Sequence, residues 1–226
     1  MRKIVLIALT SLPLLAGFFP STVNTSVKGV SADSITMSSS FPQNGMSGVI
    51  VHNYGNNIKA VTSRVVQTTK GKAKIIGNDV IVHDELPTIK TAISKGDKVI
   101  GGYLYDNVLL LAPDASTYSK VTKSYNKHWI HPDIYATHLS QEGESIPTKA
   151  NLAEFAKKYH IGLIYIIKKG SSVLLDPISG KYVGKKSSGK LPSKVNFPFF
   201  MRFDEISSGL FSSSYKGTYY DLMETL

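Results

Sequence analysis

Apolar residues fall into short β-branched runs over residues 45–112 and take up a different rhythm after 113. Gly48-Val49-Ile50-Val51-His52 is closed by Asn53-Tyr54-Gly55-Asn56-Asn57, residues that accept turn geometry. Residues 58–69 continue with Val61, Val65 and Val66, and Thr69-Lys70-Gly71-Lys72 predicts a hairpin with residues 73–76 pairing back. Gly77-Asn78-Asp79 turns again before Val80-Ile81-Val82. Lys95-Gly96-Asp97-Lys98 leads into Val99-Ile100, followed by Tyr103-Leu104-Tyr105 and Val108-Leu109-Leu110-Leu111, with a bulge expected at Gly101-Gly102. Short strands closed by Gly, Asn and Asp turns predict a small β-barrel or sandwich.

Beyond residue 113 the spacing becomes helical in places. Residues 115–125 and 132–139 predict short helices. Residues 147–159 carry the clearest one: Leu152, Phe155, Ala156 and Tyr159 share one face, and Thr148 is placed to cap the N-terminus. His160-Ile161-Gly162 ends it and leads into Leu163-Ile164-Tyr165-Ile166-Ile167, apolar on both faces as a buried central strand must be. Ser172-Val173-Leu174-Leu175-Asp176 and Lys181-Tyr182-Val183 read as hairpin partners, and residues 217–226 as a terminal helix. The fold class is α+β, with a barrel-like or sandwich-like N-terminal half followed by an α/β half.

The first residues follow neither rhythm. Met1-Arg2-Lys3 precedes Ile4-Val5-Leu6-Ile7-Ala8-Leu9, and small residues Ala16-Gly17 follow, which is the layout of a secretory signal peptide. Pro13 interrupts an apolar run already shorter than the about 20 residues a membrane-spanning helix needs. The organisation expected is a signal peptide over 1–17, an extended arm over 18–44 with a strand at residues 34–37, a β-rich subdomain over 45–113, and an α/β subdomain with a C-terminal tail over 114–226. Export places the protein in the periplasm, the outer membrane or the cell surface.

Composition narrows the chemistry. With no cysteine in 226 residues, disulfides, thiolate nucleophiles and thiolate metal sites are excluded. The net charge is +10, and loss of Arg2 and Lys3 leaves about +8, which draws the protein toward anionic surfaces, including an acidic envelope polymer. Export argues against nucleic acid as a partner. No phosphate-loop or dinucleotide signature is present, and neither is a G-x-S-x-G nucleophile elbow. The adjacent acids Asp84-Glu85 and Asp204-Glu205 split across opposite faces of a strand.

Two clusters remain. His128, His131 and His138, with Asp133, could supply metal donors for a hydrolase, but their spacing matches no zinc signature and Pro132 interrupts them. The segment reads better as structural, with Trp129 and Ile130 in the core, so no catalytic residue, cofactor or metal is assigned. Lys185, Lys186, Lys190 and Lys194, with Lys181 close by, form a lysine-rich stretch that could display ammonium groups to a partner or simply solvate a loop.

Several segments in succession resemble the N-terminal domain of the bacterial plasminogen-binding surface proteins. They are Gly45-Met46-Ser47-Gly48-Val49-Ile50-Val51-His52-Asn53; Lys95-Gly96-Asp97 through Tyr105-Asp106 to Ala112-Pro113; Trp129-Ile130-His131-Pro132-Asp133-Ile134-Tyr135-Ala136 with His138-Leu139; Ile161-Gly162-Leu163; and Phe197-Pro198-Phe199-Phe200-Met201-Arg202 with Glu205-Ile206. They cover residues 41–212. The resemblance implies a non-enzymatic, envelope-exposed protein that captures plasminogen, whose kringle modules hold a lysine between an anionic pair and an aromatic trough. In the family this activity is tied to a carboxy-terminal lysine. This sequence ends Glu224-Thr225-Leu226, so internal lysines such as Lys185, Lys186 and Lys190 are the expected substitutes. The alternative is a periplasmic structural or assembly factor that binds an acidic envelope polymer.

Overall fold

The computed structural model describes residues 17–77, 91–206 and 215–226. The leader through Ala16, the expected strand at Val80-Ile81-Val82 and the Asp84-Glu85 pair lie outside them.

Six antiparallel strands form a closed barrel, β1 (Val23–Val30), β2 (Ser34–Met37), β3 (Ser47–Gly55), β4 (Ile58–Thr69), β5 (Lys72–Gly77) and β6 (Lys98–Gly101), in the order β1-β2-β5-β4-β3-β6. Closure leaves no barrel strand with an unpaired edge. Residues 18–44, expected as an arm with one strand, contribute two barrel strands. β1 is hidden because Val27 is its only fully buried residue and the rest of the strand is mostly Asn, Thr, Ser, Lys and Gly, with Val30 itself exposed. Val27, Ile35, Ile50, Val65, Ala73 and Val99 point inward. Phe41 packs against the backbone of β6, where a Cβ on Gly101 would lie 2.6 Å from its ring. Gln67, only 2% exposed, holds that segment: its Oε1 accepts from the Phe41 N–H at 2.7 Å and its Nε2 donates to the Phe41 carbonyl at 3.1 Å. The hairpin at Gly71 forms as expected, with φ +78° at the glycine. Gly101-Gly102 departs from expectation: instead of a bulge, Gly101 ends β6 and Gly102 turns the chain with φ +67°.

The remaining strands make a mixed sheet. They are β7 (Asn107–Leu111), β8 (His128–Ile130), β9 (Leu163–Lys168), β10 (Ser171–Asp176) and β11 (Lys181–Ser187), ordered β11-β10-β9-β7-β8. β9 is the central strand and all six of its residues are buried, as its two-sided apolar run requires. Alternation divides it between two cores. Leu163, Tyr165 and Ile167 join Val108, Leu110 and Leu174 on the barrel side. Ile164 and Ile166 join Leu109, Leu111, Val173 and Leu175 on the other. That second face is covered by α2 (Pro132–Gln141), α3 (Lys149–Tyr159) and α4 (Tyr219–Thr225), whereas Tyr118 and Val121 of α1 (Ala115–Ser124) pack on the barrel-side core. Thr148 caps α3 as expected and forms a capping box with Asn151. His160 ends α3 in the left-handed region, φ 53°. The hydroxyl of Tyr219 on α4 lies 2.8 Å from the Leu111 carbonyl and 2.9 Å from that of Ile167, fastening the last helix to β7 and β9.

Barrel and sheet share one hydrophobic core, and two tight contacts mark their junction among the described residues. Asp176, at the end of β10, is fully buried. Its Oδ2 accepts from the Ser47 N–H (2.8 Å) at the start of β3 and from the Tyr105 hydroxyl (2.6 Å), while its Oδ1 accepts from the Ile178 and Ser179 N–H groups (2.9 and 3.0 Å). Burial, and then the neighbouring Asp176 carboxylate, push the Tyr105 phenol far above its ordinary value, so the hydroxyl remains a donor. The second contact is at Gly162, where a Cβ would stand 2.1 Å from the Leu104 carbonyl oxygen. Its N–H donates to the Asn107 carbonyl at 3.0 Å. Since the obstacle is backbone, no rotamer can relieve it, and Gly162→Ala is expected to cost about 1–3 kcal/mol or more. A urea midpoint within error of the unsubstituted chain contradicts this packing.

Candidate functional site

The lysine-rich stretch lies on β11 and the loop that follows. β11 is an edge strand, paired to β10 alone. A register shift between Leu174 and Leu175 places Tyr182 opposite Leu175 and Gly184 opposite Leu174, leaving Val183 as the extra residue. Beyond the shift, Lys185 lies opposite Val173 and is exposed, while Lys186 lies opposite Ser172 and turns to the barrel-side face. Lys190 and Lys194 are exposed in the loop. The structure thus separates the four expected residues: Lys185, Lys190 and Lys194 face solvent, and Lys186 does not.

The Lys186 ammonium sits among aromatic rings. It lies 4.7 Å from the centroid of Phe18, 4.8 Å from Tyr125 and 5.4 Å from Tyr165, and donates to the Tyr125 hydroxyl at 2.6 Å. Such positions over ring faces are attractive for a cation. Burial opposes the charge, but hydrogen bonds to the Tyr125 and Tyr165 hydroxyls outweigh it and hold the ammonium above the ordinary lysine range. Phe19 and Trp129 extend the cluster: Phe19 is 4.9 Å from Tyr125, and Trp129 is 6.4 Å from Tyr165. Gly184 makes the arrangement possible, because a Cβ there would stand 2.4 Å from the Phe18 carbonyl oxygen. Sequence reasoning missed this nest. Its signal was the Phe18-Phe19 pair at the head of an otherwise polar stretch.

The histidine cluster is dispersed. His128 is exposed on β8. His131 is the N-cap of α2, its Nδ1 accepting from the Asp133 N–H at 3.2 Å. His138 is 3% exposed and packs near Tyr135, Phe155 and Tyr159, with Glu142 no nearer than 3.8 Å. Trp129 and Ile130 are half-buried against the two cores. Among the described residues no three metal-donor side chains of His, Asp or Glu converge. A different histidine is paired: His52 Nδ1 donates to Asp97 Oδ1 at 2.8 Å, and Asp97 Oδ2 accepts from the Ser94 N–H at 2.8 Å. This fixes the Lys95-Gly96 turn that feeds β6, with Gly96 at φ +97°.

The family described as the N-terminal region of the plasminogen-binding protein PgbA matches residues 22–226. The chain belongs to this family. Two curated relatives are named plasminogen-binding protein PgbA, both from Helicobacter pylori. The J99 protein is 27% identical over 169 residues, covering 71% of this chain and 36% of the relative. The 26695 protein is 28% identical over 149 residues, covering 62% and 32%. The chain therefore spans about a third of the length of these relatives. No solved structure matches it. Both relatives are named for binding and not for catalysis. Among the described residues no helix is long and apolar enough to cross a membrane.

The motifs by which the chain resembles this family are joints of its fold. Ser47 and Tyr105, from two of them, meet on Asp176. Gly162, from a third, seats against Leu104. The remaining two, around Trp129 and around Phe199, are tied together by Asp133, whose Oδ1 accepts from the Arg202 N–H at 2.9 Å and whose Oδ2 accepts from Arg202 Nε at 2.6 Å. Phe199 then stacks on Tyr135, ring centroids 5.6 Å apart. Burial pushes the Asp133 carboxyl upward, but the two Arg202 hydrogen bonds, aided by the Arg202 charge, hold it below the usual aspartate value. A carboxyl depressed in the folded state stabilises above its unfolded value and loses that effect as pH falls through the folded one. Asp133→Asn is therefore expected to be less stable than the unsubstituted chain near neutrality, with the gap shrinking below about pH 4 and closing on protonation. Urea midpoints of the two proteins across about pH 2–7 measure this, and a gap constant with pH contradicts the role given to Arg202.

Proposed function

We propose that the chain is an exported, non-enzymatic envelope protein that captures plasminogen through ammonium groups displayed by β11 and its following loop. The family match over residues 22–226 supports the partner. The exposure of Lys185, Lys190 and Lys194, on one strand and the loop it opens, supports the mode. A lysine-binding module surrounds an ammonium with carboxylates and ring faces, so it needs a side chain free to leave its own surface. Lys185 satisfies this as an exposed residue of an edge strand, and Lys190 and Lys194 satisfy it in a loop. Lys186 has a different part: its ammonium is already surrounded by rings of this chain, and it anchors β11, the strand from which Lys185 projects.

Export rests on the basic and apolar leader. Removal near Ala16 or Gly17 leaves Phe18 and Phe19 at the head of the mature chain, where both rings are engaged with Tyr125 and Tyr165. The observation that carries the proposal is the outward display of three lysines, without cage or carboxylate among the described contacts, in a member of this family.

Immobilised plasminogen is expected to retain the chain, and a free lysine analogue to release it. Replacing Lys185, Lys190 and Lys194 together by Gln is expected to weaken retention by roughly tenfold or more, about 1.4 kcal/mol per decade. No retention at low salt, or retention indifferent to the triple replacement, contradicts the proposal.

A further inference from the structure

A second feature of the same face does not depend on plasminogen. Between α1 and β11 the surface opens into a cavity of about 260 Å³. Its lining includes Tyr165 and Ile167 of β9 and Ser172 of β10, Lys120 of α1 and Tyr125 just past that helix, with Lys186, Ser188 and Lys190 from β11 and the loop after it. The lining contains three lysines and no carboxylate. It is also dense in hydroxyls. Ser172, only 4% exposed, and Ser188 lie 3.1 Å apart, and Thr117, Ser124 and Ser187 add three more.

The Lys186 ammonium separates this cavity from an ordinary basic surface. Exposed lysines swing freely and lose side-chain entropy when they bind. Lys186 has already been immobilised by the Tyr125 hydroxyl and the ring faces, at the cavity wall. Among the described residues its charge is paired with no carboxylate. A fixed, partly desolvated cation with two mobile cations beside it is a site for a compact anion. The surrounding hydroxyls donate and accept at once, which suits a ligand that itself carries hydroxyl groups around its charge. Pockets for drug-sized molecules begin near about 300 Å³, so this one takes a single sugar ring.

We infer that the α1–β11 cavity binds an anionic saccharide unit, its carboxylate or phosphate on Lys186 and its hydroxyls on Ser172, Ser188 and the Tyr125 side of the cavity. Such a unit would anchor the protein to an acidic envelope glycan while Lys185 and Lys194 remain outside the cavity.

The test is calorimetric titration of the full chain, at about 0.15 M salt to screen diffuse attraction, with glucuronic acid, glucose 6-phosphate, glucose and inorganic phosphate. One or both anionic sugars are expected to bind, with glucose and phosphate much weaker. Carboxylate and phosphate forms are distinguished by which sugar binds. Lys186→Met is expected to lower affinity by about tenfold or more. Lys190→Met, in an exposed loop where folding is not at stake, is expected to lower it less but measurably. Lys74→Met, exposed on β5 of the barrel, is expected to have no effect. Absence of binding by both anionic sugars, phosphate binding as tightly as the sugars, or equal losses from Lys74→Met and Lys190→Met would each overturn the inference. Because plasminogen retention is a separate readout, either result can fail without the other.

Discussion

The buried carboxylate of Asp176 holds the two halves of this protein in register. A fully buried charge is costly unless every lone pair it presents is satisfied. Here four donors converge on it, from β3, from the Tyr105 turn and from the hairpin that β10 enters. Two of these donors are near neighbours, Ile178 and Ser179, but Ser47 and Tyr105 lie 129 and 71 residues away in sequence, so the interaction ties distant segments together. It fixes where the barrel meets the sheet and therefore where β11 runs. The placement of β11 in turn decides which lysines face water and which lies against the aromatic nest.

Much of this architecture is legible in the residues, and what is not has physical causes. The turns at Gly71 and the cap at Thr148 are local, so their chemistry reads directly from neighbours. The two-sided apolar run of β9 announces a central strand for the same reason. β1 escapes notice because a barrel strand needs only alternate inward residues, and Val27 with few companions suffices when five other strands supply the rest of the core. The aromatic nest was unreadable because Phe18, Tyr125, Tyr165 and Lys186 are scattered through the sequence, and only the sheet brings them together. The lysine stretch was visible, yet its division was not: a single register shift on β11 turns Lys186 inward and Lys185 outward.

The resemblance to the PgbA N-terminal family has a structural meaning. The motifs that carry it meet at Asp176, at Gly162 and at the Asp133–Arg202 pair, which are points where backbone or buried polar groups allow few substitutes. The displayed lysines lie outside those motifs. In the proposed reading, fold and partner recognition are borne by different residues, so a surface can change its ligands while the joints beneath it stay fixed.

The most direct test of this account is a double-mutant cycle at the junction, combining Tyr105→Phe with Asp176→Ala and reading stability from urea unfolding. If the carboxylate joins barrel to sheet, Asp176→Ala costs about 3–5 kcal/mol, Tyr105→Phe costs about 1–3 kcal/mol, and the two effects overlap by about 1 kcal/mol or more. Strict additivity, or an Asp176→Ala protein as stable as the unsubstituted chain, would contradict it.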